Sequence, residues 1–149
     1  MAGVVALLVG ATTACAVDVP DTKVSDAQRA TCAKLVDSLP HHVSDQEQRE
    51  TKGNPLGAAW GDPPIVLRCG VGRPAGYDQF SACQVVNGLG WFVPEQTIED
   101  QDAEVVMTTV GREPAVEVKV PATYRPPSAV MVDLGTAVKT HTRLVKPCS

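Results

Sequence analysis

The chain has 149 residues, 44% of them hydrophobic and 20% charged, a length and balance that suit one globular domain with a single core. A formal net charge of −4, with no run of Lys and Arg, argues against a nucleic-acid partner, whose phosphates demand a basic surface. Six aromatic residues supply little material for base stacking or a carbohydrate platform.

The opening segment, "MAGVVALLVGATTACAV", has no charged side chain before Asp18 and ends in small residues. It reads as the apolar and cleavage regions of a secretory signal that lacks the usual basic start. Its apolar part is shorter than the roughly 20 residues that span a bilayer. Two endings compete. "TTAC" ahead of Cys15 loosely resembles a lipobox, in which Cys15 would carry lipid and anchor the chain to a membrane. Alternatively, Ala14 and Ala16 supply the small residues for ordinary signal cleavage after Ala16. Residues 1–16 are expected to be a signal or anchor segment, residues 17–24 a polar linker, and residues 25–149 one extracytoplasmic domain of the cell envelope, anchored or secreted. A cytosolic chain with an apolar first strand is the competing reading.

"SDAQ" at residues 25–28 is a capping box, and Cys32, Leu35, Val36 and Leu39 follow on one helical stripe that Pro40 closes. Residues 41–57 turn polar and read as a surface loop, with a helical turn after Ser44. Pro63-Pro64 forbids helix, so "IVLRC" starts extended. "CQVVNGLGWFV" holds Asn87-Gly88 between apolar runs, a hairpin signal. Residues 94–102 form an acidic loop. "AEVVMTTVG" and "PAVEVKVP" are two further strands joined by the turn-like "GREP"; Val116, Val118 and Val120 alternate with Glu117 and Lys119, which gives a buried and a wet side. Finally Val130, Met131, Leu134, Ala137 and Val138 lie on one stripe of a helix that Ser128 would cap, with Lys139 and Arg143 at its negative end. The order helix, strand, hairpin, hairpin, helix predicts an α+β domain: an antiparallel sheet of about five strands with the N- and C-terminal helices packed on one face.

Of the five cysteines, setting Cys15 aside with the signal leaves an even four, as an oxidising compartment favours. No CxxC or zinc-ligand spacing is present. Three pairings are open. The expected one joins Cys69 to Cys83 across neighbouring strands and Cys32 to Cys148 between the terminal helices.

No reaction is legible. There is no G-x-S-x-G, P-loop, Rossmann or HExxH pattern, and His41, His42 and His141 fall in loop or helix-end positions. His41, His42 and Asp45 are close in sequence without metal-ligand spacing, and the glycines of "GVGRPAG" fit a turn better than a phosphate cradle. No cofactor or metal is called for. The remaining polar constellation is Asp62, Arg68, Arg73 and Arg112, with Trp60 and Trp91, the two Trp reading first as core. An Arg inside an apolar strand must reach water, a carboxylate or a ligand. Asp62 is the expected structural partner of Arg68, and a ligand-reading cleft is the functional alternative.

Taken together, "AAWGDPPIVLRCGV", "NGLGWF", "TTVGREPAVEVKVP" and "VDLGTAV", in this order, closely resemble the actinobacterial family catalogued as domain of unknown function 3515. The resemblance runs from about Cys32 to Val138. It implies an exported or membrane-anchored envelope protein and supplies no catalytic residues; the short uncharged N-terminal segment departs from the pattern. The expected function is a non-catalytic binding or assembly module for an envelope protein, glycan or lipid component. The alternative is a small-ligand protein or enzyme with a cleft around Asp62, Arg68 and Arg112.

Overall fold

The computed structural model describes residues 15–148. The signal reading of residues 1–14 lies outside them; Cys15 is described, and its thiol is exposed and free. In chain order the elements begin with β1 (Val17–Val19), α1 (Asp26–Asp37), β2 (His42–Val43), β3 (Gln46–Arg49), β4 (Thr51–Gly53), β5 (Gly57–Trp60) and β6 (Ile65–Val71). They continue with β7 (Gln84–Val86), β8 (Leu89–Phe92), α2 (Glu95–Glu99), β9 (Val105–Thr109), β10 (Arg112–Glu113), β11 (Ala115–Val120), α3 (Ser128–His141) and β12 (Arg143–Leu144). The fold is α+β. Its antiparallel sheet holds eight strands, in the order β2-β3-β5-β6-β11-β9-β8-β7, rather than about five.

Two of the three further strands, β2 and β3, come from the stretch read as a surface loop, and the third, β5, begins at its end. β2 and β3 form a hairpin across Ser44 and Asp45, whose φ angles of 50° and 61° supply the left-handed turn that two-residue hairpins need. Gln46–Arg49 lacks the apolar alternation of a strand because it lies near the sheet's edge and stays half wet. The supposed linker is also built in. β1 pairs in parallel with β4, Val19 is buried, and the Thr22 hydroxyl donates to the Cys69 carbonyl at 3.0 Å. Burial of Val19 and the buried Asn54 amide, which donates to Pro20 O at 3.1 Å, tie this segment down.

The alternating strands follow their pattern. Ile65, Leu67 and Cys69 of β6 face the core beside Val116, Val118 and Val120 of β11, and Val118 sits opposite Leu67. Asn87-Gly88 makes the β7–β8 turn at φ 50° and 76°. α1 starts at the Ser25 capping box, with the Ser25 hydroxyl accepting from the Gln28 amide at 3.3 Å and Gln28 Oε1 accepting from the Ser25 amide at 3.1 Å. α3 buries the whole stripe from Val130 to Val138. Ser128 is the first helical residue after Pro127 rather than a side-chain cap, and Arg143 lies beyond the helix in β12. The acidic loop contains the short helix α2.

α1 packs on α3 and β6, while α3 touches both β2 and β7, the two ends of the sheet. Flat, those ends would lie about 34 Å apart at the usual strand spacing. Yet the Ser44 amide donates to Asp133 of α3 at 2.8 Å, and Lys139 of α3 donates to the Asn87 carbonyl at 2.7 Å. Those two helix positions are only about 9 Å apart along the axis. The sheet therefore curls around α3, as right-handed twist allows.

Strand order also corrects the disulfides. The bonds are Cys32–Cys69 and Cys83–Cys148, with Cα separations of 5.6 and 6.0 Å, and not Cys69–Cys83 with Cys32–Cys148. β11, β9 and β8 stand between β6 and β7, placing the start of β7 roughly 19 Å of sheet away from β6. A disulfide spans less than half of that. Cys69 instead points into the core and meets Cys32 on the buried side of α1.

If α3 is the element around which the sheet closes, Leu134→Ala lowers stability by about 2–5 kcal/mol, whereas Val132→Ala on its exposed side changes it by no more than about 0.5 kcal/mol. Urea unfolding of the oxidised protein measures both; equal effects would contradict the arrangement.

Candidate functional site

Of the residues singled out in the sequence, Arg73 and Arg112 line one recess, while the others have separate surroundings. Trp60 and Trp91 are fully buried. Trp60 Nε1 donates to the Pro40 carbonyl at 2.9 Å and ties β5 to the end of the α1 segment, while Trp91 Nε1 has no acceptor among the described residues. Asp62 lies in the turn between β5 and β6 and is not the partner of Arg68. That partner is Glu117, directly across the strand pair on the sheet's outer side, which accepts from Arg68 Nη2 at 2.6 Å and from Nε at 3.1 Å. Register decides this: Arg68 and Glu117 project side by side from β6 and β11, so the carboxylate next door satisfies the guanidinium.

Arg112 is committed as well. From β10, which pairs with β12, its Nε donates to Thr142 Oγ1 at 2.7 Å, and its Nη2 to the carbonyls of Thr142 and Lys139 at 2.8 and 3.0 Å. It thus supplies donors to the carbonyls that α3 leaves open at its C-terminus, where a positive charge also suits the helix dipole. Burial pulls its pKa below the ordinary arginine value without threatening its charge.

Arg73 is different. It sits on the loop 72–82, exposed, with its Nε donating to the Tyr77 carbonyl at 3.1 Å and its guanidinium 5.2 Å from the centre of the Tyr77 ring. Tyr77 in turn meets Phe92 of β8 edge to face at 5.2 Å. This chain of contacts fixes the loop to the sheet and leaves Nη1 and Nη2 of Arg73 without a hydrogen-bond partner among the described residues. A cleft of about 440 Å³ opens beside it, lined among others by Arg73, Tyr77, Ser81, Gly111, Lys146 and Cys148. Among the described residues its charged lining side chains are two cations, Arg73 and Lys146. A smaller recess of about 260 Å³ continues from Arg73 and Tyr77 toward Arg112.

The C-terminal tail forms one wall because two glycines let it approach. Val145 and Lys146 donate their amides to the Gly111 carbonyl at 2.8 and 3.1 Å. A Cβ at Gly111 would collide with the Lys146 carbonyl, and one at Gly90 with Cys148 Sγ. Tyr77 and Lys146 were missed in the sequence: Lys146 is a lone cation in a short tail, and it reaches the loop through the tail's bonds to Gly111 and the Cys83–Cys148 disulfide. Asp78 closes the loop's turn by accepting from the Phe80 amide at 2.8 Å and the Ser81 hydroxyl at 3.1 Å. These donors, helped by the charge of Arg73, hold its carboxyl below the usual range. Their support for the turn is present above the unfolded carboxylate pKa and is lost as pH falls through the folded value.

His42 lies in β2 and Asp45 in the hairpin turn that follows, and among the described residues no three His, Cys, Asp or Glu side chains gather as a metal site. No helix of the described residues is long and apolar enough to cross a membrane.

The model of the family described as "Protein of unknown function (DUF3515)" matches residues 1–146. The chain belongs to that family. The match takes in the opening segment and most of the tail as well as the blocks between Cys32 and Val138, so the DUF3515 unit includes the Lys146 side of the cleft. No curated protein and no solved structure matches the chain.

Because Arg68 and Arg112 hold the fold, Arg68→Gln and Arg112→Gln are each expected to cost about 1–3 kcal/mol, the usual loss when charged hydrogen bonds are removed. Chemical denaturation reads the change; an unaltered midpoint in both variants would contradict the structural assignment.

Proposed function

We propose that this DUF3515 chain is a non-catalytic binding module of the cell envelope, working outside the cytoplasm and holding an anionic group of an envelope component in the cleft between loop 72–82 and the C-terminal tail. The observation that carries the reading is the division of labour among the cations. Arg68 is neutralised by Glu117 and Arg112 is engaged at the end of α3, whereas Arg73 and Lys146 face one open cleft whose lining, among the described residues, includes no acidic side chain. Arginine presents a planar fork to carboxylate or phosphate, and a nearby lysine adds a point charge. Two disulfides are consistent with an oxidising compartment, and the apolar opening segment supports export. The alternative centred on Asp62, Arg68 and Arg112 is less well supported, since Arg68 is paired with Glu117 and Arg112 is bonded at the end of α3.

The test is photocrosslinking in cells from a reactive amino acid at Gln79, which lines the cleft, against the same group at Val132 on the exposed side of α3. An envelope component is expected on Gln79 alone, and Arg73→Gln with Lys146→Gln should abolish the adduct while leaving the fold intact. Adducts of equal yield from both positions, or none from either, would overturn the reading.

A further inference from the structure

Loop 72–82 has a second side with the opposite character. Residues 74–111 carry six carboxylates and not one Lys, Arg or His, in a chain whose whole net charge is only −4. Between this loop and α2 runs a groove of about 540 Å³, lined among others by Asp78, Phe80, Phe92, Pro94, Glu95 and Ile98. Its charged lining residues are the two carboxylates alone. Phe80 is 85% exposed and Ile98 43% exposed, an unusual display for large apolar side chains held so close together. Glu104 is paired with Lys119, but Glu95, Glu99, Asp100 and Asp102 have no ion-pair partner among the described residues.

The groove also adjoins the end of the sheet. β7 is the last strand, Gln84 lines the groove, and the following Val85 is 60% exposed. In a two-residue hairpin the residues flanking the turn, here Val86 and Leu89, exchange the hydrogen bonds. Val85 therefore directs its N–H and C=O away from β8, where a further strand would lie.

We infer that this groove docks an extended segment of a partner protein in which apolar side chains alternate with Lys or Arg. The inference rests on the binding-module reading and names a second surface and a partner for it. Apolar residues of the segment cover Phe80 and Ile98, its cations meet Asp78, Glu95 and Glu99, and its backbone pairs with Val85. The charge argues against other occupants. Anionic lipid and nucleic acid would be repelled by the acidic rim, and a second copy meeting it through a two-fold axis would set the same carboxylates against each other. The Phe80 amide and Ser81 hydroxyl favour the ionised form of Asp78, which keeps this carboxylate on the rim.

The test titrates the full oxidised chain with an acetylated, amidated peptide of alternating Val and Lys, and with its counterpart carrying Glu for Lys, followed by amide chemical shifts. The Lys peptide should bind in a salt-sensitive way, with shifts confined to residues 78–86 and 95–102, and the Glu peptide should not bind. Phe80→Asp should weaken binding about tenfold or more, and Glu95→Gln with Glu99→Gln should weaken it while thermal unfolding stays unchanged. Equal binding of both peptides, no binding, or shifts centred on Arg73 and Lys146 would overturn the inference. So would a Phe80-dependent dimer in sedimentation or Phe80-dependent capture by anionic vesicles. If the Lys peptide fails while crosslinks from Gln79 persist, the groove assignment falls and the binding module stands; if both fail, both fall.

Discussion

α3 is gripped from both ends of the sheet. Asp133 holds the β2–β3 turn and Lys139 the β7–β8 turn, so eight strands must curl about a single apolar helix. The remaining features follow from that closure. The face turned inward buries Trp60, Leu67, Trp91, Met107 and Val118 against α3 and α1. Cys69, in the interior strand β6, is then positioned to bond to α1, and the tail leaving α3 is carried back across β8 to Cys83. On the chain-entropy account each bond, closing loops of 37 and 65 residues, contributes about 4 kcal/mol.

Closure also explains which polar residues are left to act. The outer side of β6 and β11 carries a cross-strand ion pair, and the mouth of the curl at the end of α3 is occupied by Arg112. What remains is loop 72–82, anchored through the Arg73–Tyr77–Phe92 contacts and presenting Arg73 to one side and Phe80 to the other. One loop between β6 and β7 thus separates a cationic cleft from an acidic, apolar groove. Loops placed by a rigid scaffold are common carriers of recognition.

The parts legible in the sequence were those whose side chains answer to one neighbour at a time. The Ser25 capping box, the alternating valines of β11, the Asn87-Gly88 turn and the apolar stripe of α3 are local patterns, and each is present. The polar strands β2 and β3, at one end of the sheet, carry no such pattern, because most of their side chains stay partly in water. The pairing of cysteines and the partner of Arg68 depend on strand order, which periodicity does not encode: Cys69 looked adjacent to Cys83 only because β6 precedes β7 in the chain. The cleft was legible in part. Arg73 stood out beside a turn, but Lys146 belongs to the site solely through the fold of the tail.

The most direct measurement is a non-reducing peptide map of the protein recovered from its native cells, with free thiols alkylated before digestion. The account predicts cross-linked peptides joining Cys32 to Cys69 and Cys83 to Cys148. A peptide joining Cys69 to Cys83 would make β6 and β7 neighbours and contradict the strand order, while alkylated Cys32, Cys69, Cys83 and Cys148 would contradict both the braced fold and the proposed place outside the cytoplasm.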